Sequence, residues 1–290
     1  IVGAGVFTVM LIVIPAFELL SFWVISNTYC MVYIFLLMIG MNLYTTGERE
    51  NKALLMLISM VICWLTLSRA EMSVCMACIV CLISFLPLTQ REMLTLSVPM
   101  MVVQLLYLIE LNYQQAISVK NVYDSMLTPA IQAIITVATV GCVIYSFFIN
   151  SKFFSWIRKK INIIVFAVLP GICIAIYFLD KEKYVKSIES IIYNFKTQYW
   201  GYLPALILIL YIMIVLNKRI NFWLIFSTGY VLINLILCLG RKQPLRNGYG
   251  DSCNRIMMSA IPVVFFALIC SVLEIVALRI KENKEQEEYK

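Results

Sequence analysis

Histidine is absent from all 290 residues, which removes Ser-His-Asp and Cys-His nucleophilic systems, histidine-ligated haem and the usual zinc hydrolase sites. Any general base must then be a carboxylate, a lysine or a tyrosine. Charge is scarce too, at 13% of residues, about half of what a soluble domain carries. No internal repeat, low-complexity tract or glycine-rich phosphate loop interrupts the chain. It opens Ile1, Val2, Gly3 without methionine and already inside an apolar run, which is unlike a signal peptide. The expectation is a fragment with further helices upstream.

What is plentiful is apolar surface. Hydrophobic residues make up 62% of the chain and mean hydropathy is +0.90, against about 45–50% apolar content in soluble domains. The predicted class is all-α, a polytopic transmembrane helical bundle. Apolar segments of about 20 residues can cross a hydrocarbon core of about 30 Å. Ten are present, at 2–25, 29–46, 53–68, 72–88, 93–111, 127–149, 161–179, 202–216, 222–239 and 256–280. Residues 1–280 are therefore expected to form the bundle, with 281–290 as a cytoplasmic, solvated helical tail. The net charge of +7 comes from basic residues scattered between spans, a pattern that suits anionic lipid or phosphate rather than nucleic acid.

Nine of the ten cysteines fall within these spans, where a thiol behaves as a small hydrophobe. Cys75, Cys78 and Cys81 share a helix face, but a structural zinc site needs four ligands and no second pair completes it. No metal or other cofactor is expected, and no residues point to a divalent cation. Pro99, Pro129, Pro170 and Pro262 lie in or at the ends of spans, which membrane bundles tolerate where neighbours satisfy the freed backbone. Glu274 reads either as a functional intramembrane carboxylate or, near the inner end of the last span, as a side chain that reaches the interface. Glu18 reads either as an interhelical hydrogen-bonding group or as a functional carboxylate.

If the C-terminal tail is cytoplasmic, alternation places thirteen basic residues inside and ten outside, and the short loops favour that orientation. Three external elements then carry chemistry. Arg69 and Glu71 are the only charges between Lys52 and Arg91, and a charge at membrane depth costs about 2.5–3.5 kcal/mol. They also read as a local pair closing a tight helical hairpin. Segment 181–199 reads as an amphipathic helix on the membrane surface, with Tyr184, Ile188, Ile191, Phe195 and Tyr199 on one side. The loop 241–255 holds four cations, Arg241, Lys242, Arg246 and Arg255, with Tyr249, Asp251 and Asn254. Arginine forks suit phosphate. The same loop also reads as a solvated connection in which Asp251 caps the final helix.

The hairpin at Ser68-Arg69-Ala70-Glu71, the segment running into Tyr199-Trp200-Gly201, and Gly250-Asp251-Ser252-Cys253-Asn254-Arg255 followed by Pro262 resemble the C-terminal two-thirds of bacterial GT-C membrane glycosyltransferases. Met72 stands where that family often has glycine. The resemblance implies transfer of a sugar from a polyprenyl-phosphate donor to a lipid or glycan acceptor on the outer face of a bacterial plasma membrane, with the usual base on a first external loop upstream of Ile1. On this reading Arg246 and Arg255 bind the lipid phosphate, assisted by Arg69, Lys242 and Tyr249. Glu71 orients Arg69 or contacts the sugar, and Asp251 and Asn254 position Arg255. These guanidinium groups are expected to converge beneath the outer headgroups. A flippase or transporter for a lipid-linked sugar, or an envelope-polysaccharide polymerase or ligase, would want similar residues.

Overall fold

The computed structural model describes residues 26–47, 51–68, 70–117, 129–196, 207–212, 221–239 and 260–288. All regular structure among these residues is helical. The helices are α1 (Ser26–Thr46), α2 (Lys52–Ser68), α3 (Ala70–Ile83), α4 (Gln90–Ile117), α5 (Pro129–Phe147), α6 (Lys152–Lys159), α7 (Ile161–Leu179, with a π-helical stretch at Ile164–Val168), α8 (Lys181–Lys196), α9 (Phe222–Leu239) and α10 (Ala260–Glu288). Among the described residues, four segments are long and apolar enough to cross a membrane: Gln90–Glu110, Pro129–Phe147, Ile161–Leu179 and Ala260–Leu278. The apolar parts of α1, α2, α3 and α9 are shorter, at 10–17 residues. The expected spans at 2–25 and most of 202–216 lie outside the described residues, as does Glu18.

Several boundaries differ from expectation for local reasons. The segment 72–88 stops being helical at Ile83, where Phe85 and Leu86 tighten the last turn by donating to the Leu82 and Ile83 carbonyls at 3.1 and 2.9 Å. Pro87 follows and cannot continue the ladder. Helix α4 begins earlier than 93 because Thr89 and Glu92 form a reciprocal cap. The Thr89 backbone N–H and hydroxyl donate to Glu92 Oε2 at 2.6 and 2.8 Å, and the Glu92 N–H donates to Thr89 Oγ1 at 3.3 Å. Helix α5 is described from Pro129, whose missing N–H costs nothing in a first turn. Helix α10, by contrast, runs on to Glu288 as a helical tail was expected to do.

The chain forms two units, one of residues 32–164 and the other of residues 1–31 with 165–290. In the first, α1 to α5 run up and down. Gly40 of α1 lets α2 approach so closely that a Cβ there would lie 3.0 Å from Ile58 Cγ1, the kind of contact small residues permit in membrane bundles. Helix α2 turns Leu55, Ile58, Ile62 and Leu65 inward and leaves Met56, Met60 and Trp64 exposed.

Pro99 lies inside α4 and has no N–H to give the carbonyl four residues back, that of Thr95. The buried Ser59 hydroxyl of α2 donates to this freed carbonyl at 2.9 Å. Ser59→Ala is therefore expected to destabilise the unit by about 1–3 kcal/mol. Pro99→Ala should recover much of that loss by restoring the helical donor. Thermal midpoints of the two single variants and the double variant measure the coupling.

In the second unit, α9 and α10 pack through Leu224 and Leu268, with Ile207, Leu210, Tyr211, Val264 and Ile275 around them and Trp223 edge-on to Phe266. The Leu169–Leu179 part of α7 also packs on α9, and little of α7 is covered although it is strongly apolar. Helix α8 covers residues 181–196 of the segment expected to be amphipathic, and 197–199 lie outside the described residues. Lys186 and Glu182 form an exposed pair one turn apart, and the hydrogen bond and charge of Glu182 push the Lys186 ammonium above its ordinary pKa.

Candidate functional site

Helix α2 ends at Ser68 and α3 begins at Ala70, so the chain makes the tight helical hairpin expected there. Glu71 is the second residue of α3, and its side chain lies outside the described residues. Arg69, Lys242, Arg246, Tyr249, Asp251, Asn254 and Arg255 lie outside them too.

What the structure does bring together is a polar seam across this hairpin. The Ser68 hydroxyl donates to the Leu65 carbonyl at 2.6 Å, closing the end of α2. Ser73 is buried on α3 and reaches two neighbours, donating to Gln104 Oε1 of α4 at 2.6 Å with the Thr66 carbonyl of α2 at 3.2 Å. Gln104 is also fully buried, and its Nε2 has no hydrogen-bond partner among the described residues. Two turns earlier on α4, the buried Ser97 hydroxyl lacks a partner among the described residues as well. A buried donor left unmade costs about 1–3 kcal/mol, so these two atoms mark polar capacity that the apolar interior does not itself use. The sequence reading named neither residue. Their seven-residue spacing inside an apolar span was the available signal, since it puts both on one helix face.

A second polar cluster lies in the other unit. Asn221 caps α9 by accepting the Leu224 N–H at 2.9 Å, accepts the Ser271 hydroxyl at 3.2 Å, and donates through Nδ2 to Glu274 Oε2 at 2.9 Å. Glu274 is thus exposed but committed to the residue that caps α9. Glu92 is likewise committed, accepting the buried Tyr44 hydroxyl at 2.5 Å besides Thr89.

Among the described residues no group of three or more cysteine, aspartate or glutamate side chains is placed to hold a metal ion. Cys81 meets Cys142 of α5 instead, with sulfurs 4.0 Å apart, as a pair of packed thiols. No protein-family model matches this sequence, and neither does any curated protein or solved structure.

Proposed function

We propose that this protein is a membrane glycosyltransferase of the GT-C kind, moving a sugar from a polyprenyl-phosphate donor to a lipid or glycan acceptor on the outer face of a bacterial plasma membrane. The observation that carries the reading is the loop 241–255, whose arginines and lysine stand beside Asp251 and Asn254 immediately before the last apolar helix of a histidine-free chain. Departure of a lipid phosphate needs fixed cations and attack by a hydroxyl needs a carboxylate, and neither step needs histidine. Arg246 and Arg255 take the phosphate, with Lys242 and Tyr249 completing the donor contacts. Asp251 and Asn254 position Arg255. Arg69 adds a cation, and Glu71, in the first turn of α3, orients it or meets the sugar.

The finer topology belongs to the same proposal: about ten spans, α8 on the outer surface, and the C-terminus in the cytoplasm. Hydrogen bonds that gather the α1, α3–α4 and α5–α6 ends support the alternation it needs.

The test is reconstitution in proteoliposomes with a radiolabelled polyprenyl-phosphate sugar and membrane glycan acceptors. Label should move to the acceptor as polyprenyl phosphate is released. Passage of the intact donor across the bilayer without sugar release would replace this reading with a flippase, and loss of neither kind of donor would overturn both.

A further inference from the structure

The end of the first unit opposite the Ser68–Ala70 hairpin is assembled from three successive connections. The Tyr44 hydroxyl at the end of α1 donates to Glu92 at the start of α4. Gln90 Nε2, also at the start of α4, donates to the Phe147 carbonyl at the end of α5 at 2.5 Å. Arg158 of α6 donates to the Leu86 carbonyl of the α3–α4 connection at 3.0 Å. These bonds put Lys52, Arg91, Lys152, Arg158, Lys159 and Lys160 at one end, where Glu92 is the one carboxylate among the described residues.

Helix α6 organises this charge. Ser151 caps it, accepting the Phe154 N–H. Phe154 lies edge-on to Tyr145 with ring centroids 4.9 Å apart, and Arg158, four residues on, is bonded to Leu86. That face is therefore fastened to the bundle. On a 100° helical step, Phe153 and Trp156 project from one flank, 63% and 59% exposed. Lys152 and Lys159 project from the other, both exposed and without a carboxylate partner among the described residues. Lys160 follows at once, and Phe147 and Phe148 are exposed just before the helix. A short helix with bulky aromatics on one flank and lysines on the other is the arrangement that lies at headgroup level, rings among the upper acyl chains and ammonium groups toward phosphate.

We infer that α6, with Lys160 and the exposed Phe147 and Phe148, is a docking site for anionic phospholipid headgroups, selecting them over zwitterionic ones at this end of the unit. The occupant follows from charge complementarity, because Lys152, Lys159 and Lys160 have no carboxylate partner among the described residues and a zwitterionic surface supplies no net charge to match them. The inference is independent of the proposed transfer reaction. Each lysine near an anionic membrane surface is worth about fivefold in affinity, so three give roughly a hundredfold at most, less at physiological salt where the Debye length is about 8 Å.

The full chain is reconstituted in vesicles containing phosphatidylcholine with phosphatidylglycerol, one or the other brominated on its acyl chains, and tryptophan quenching is followed. The Trp156 contribution is the difference between the protein and its Trp156→Phe variant. Brominated phosphatidylglycerol should quench Trp156 with an apparent affinity at least tenfold above brominated phosphatidylcholine, and 1 M NaCl should remove that preference. K152Q/K159Q/K160Q should lower it to about one while quenching by either lipid persists. Equal quenching by both lipids in the unaltered protein, a preference that survives high salt, or Trp156 quenching no greater than background would each overturn the inference. The salt arm needs no lysine substitution and decides the matter if the triple substitution impairs folding.

Discussion

Arg255→Ala is expected to lower sugar transfer by about 10²–10³-fold while leaving the protein inserted at its normal level. The magnitude follows from the proposed role. A departing lipid phosphate gains charge in the transition state, and removing one fixed donor at such a position costs about 2.7–4 kcal/mol. Arginine presents a planar fork that meets two phosphate oxygens at once, whereas lysine offers a point charge. Arg255→Lys should therefore lose less than alanine but not recover the full rate. If the interaction strengthens as the bond to phosphate breaks, the loss appears mainly in kcat; if Arg255 only holds the donor, KM rises and kcat stands. Transfer from a labelled donor, measured at matched protein density in proteoliposomes, reads the effect. An unchanged rate would remove Arg255 from the site and take most of the functional assignment with it.

The second large effect is structural. Glu92→Ala should cost about 2–4 kcal/mol and lower the thermal midpoint by several degrees, because one carboxylate serves three donors. Thr89 loses a partner for its N–H and for its hydroxyl. The Tyr44 hydroxyl loses the acceptor that ties α1 to α4, and Tyr44 is only 3% exposed. Glu92→Gln should be milder, since glutamine also serves at this position of a capping box. Tyr44→Phe removes a donor without leaving an unmade bond on the tyrosine side. The double variant Y44F/E92A should therefore lose less than the two single losses added together. Strict additivity would mean that α1 and α4 are not coupled through this bond.

Some of this architecture could be read from the chain directly and some could not, and particular residues show why. The apolar runs at 127–149, 161–179 and 222–239 anticipate α5, α7 and α9 closely, because a span must be uniformly apolar over a length set by the bilayer. The hairpin at residue 69 was equally legible, since two apolar runs flank the lone charges Arg69 and Glu71. Thr89-x-x-Glu92 is a capping box written in four residues, yet the expectation began the helix at 93 because hydropathy alone set the boundary. Helix α6 was hidden differently. In eight residues, KFFSWIRK reads as a basic connection until Phe154 and Arg158 are seen fastened to Tyr145 and Leu86, which leaves Phe153, Trp156 and the lysines on the outer flanks.

Helical class, apolar spans, the absence of histidine chemistry and the cationic loop 241–255 all follow from residue type and local period, which depend only on neighbours along the chain. The meetings of Ser59 with Thr95, Ser73 with Gln104, Tyr44 with Glu92 and Asn221 with Glu274 do not, because each joins residues 31 to 53 positions apart. Nothing local selects such a partner. It is selected when helices pack and each buried polar atom must find a donor or acceptor on whichever neighbour the bundle has placed beside it.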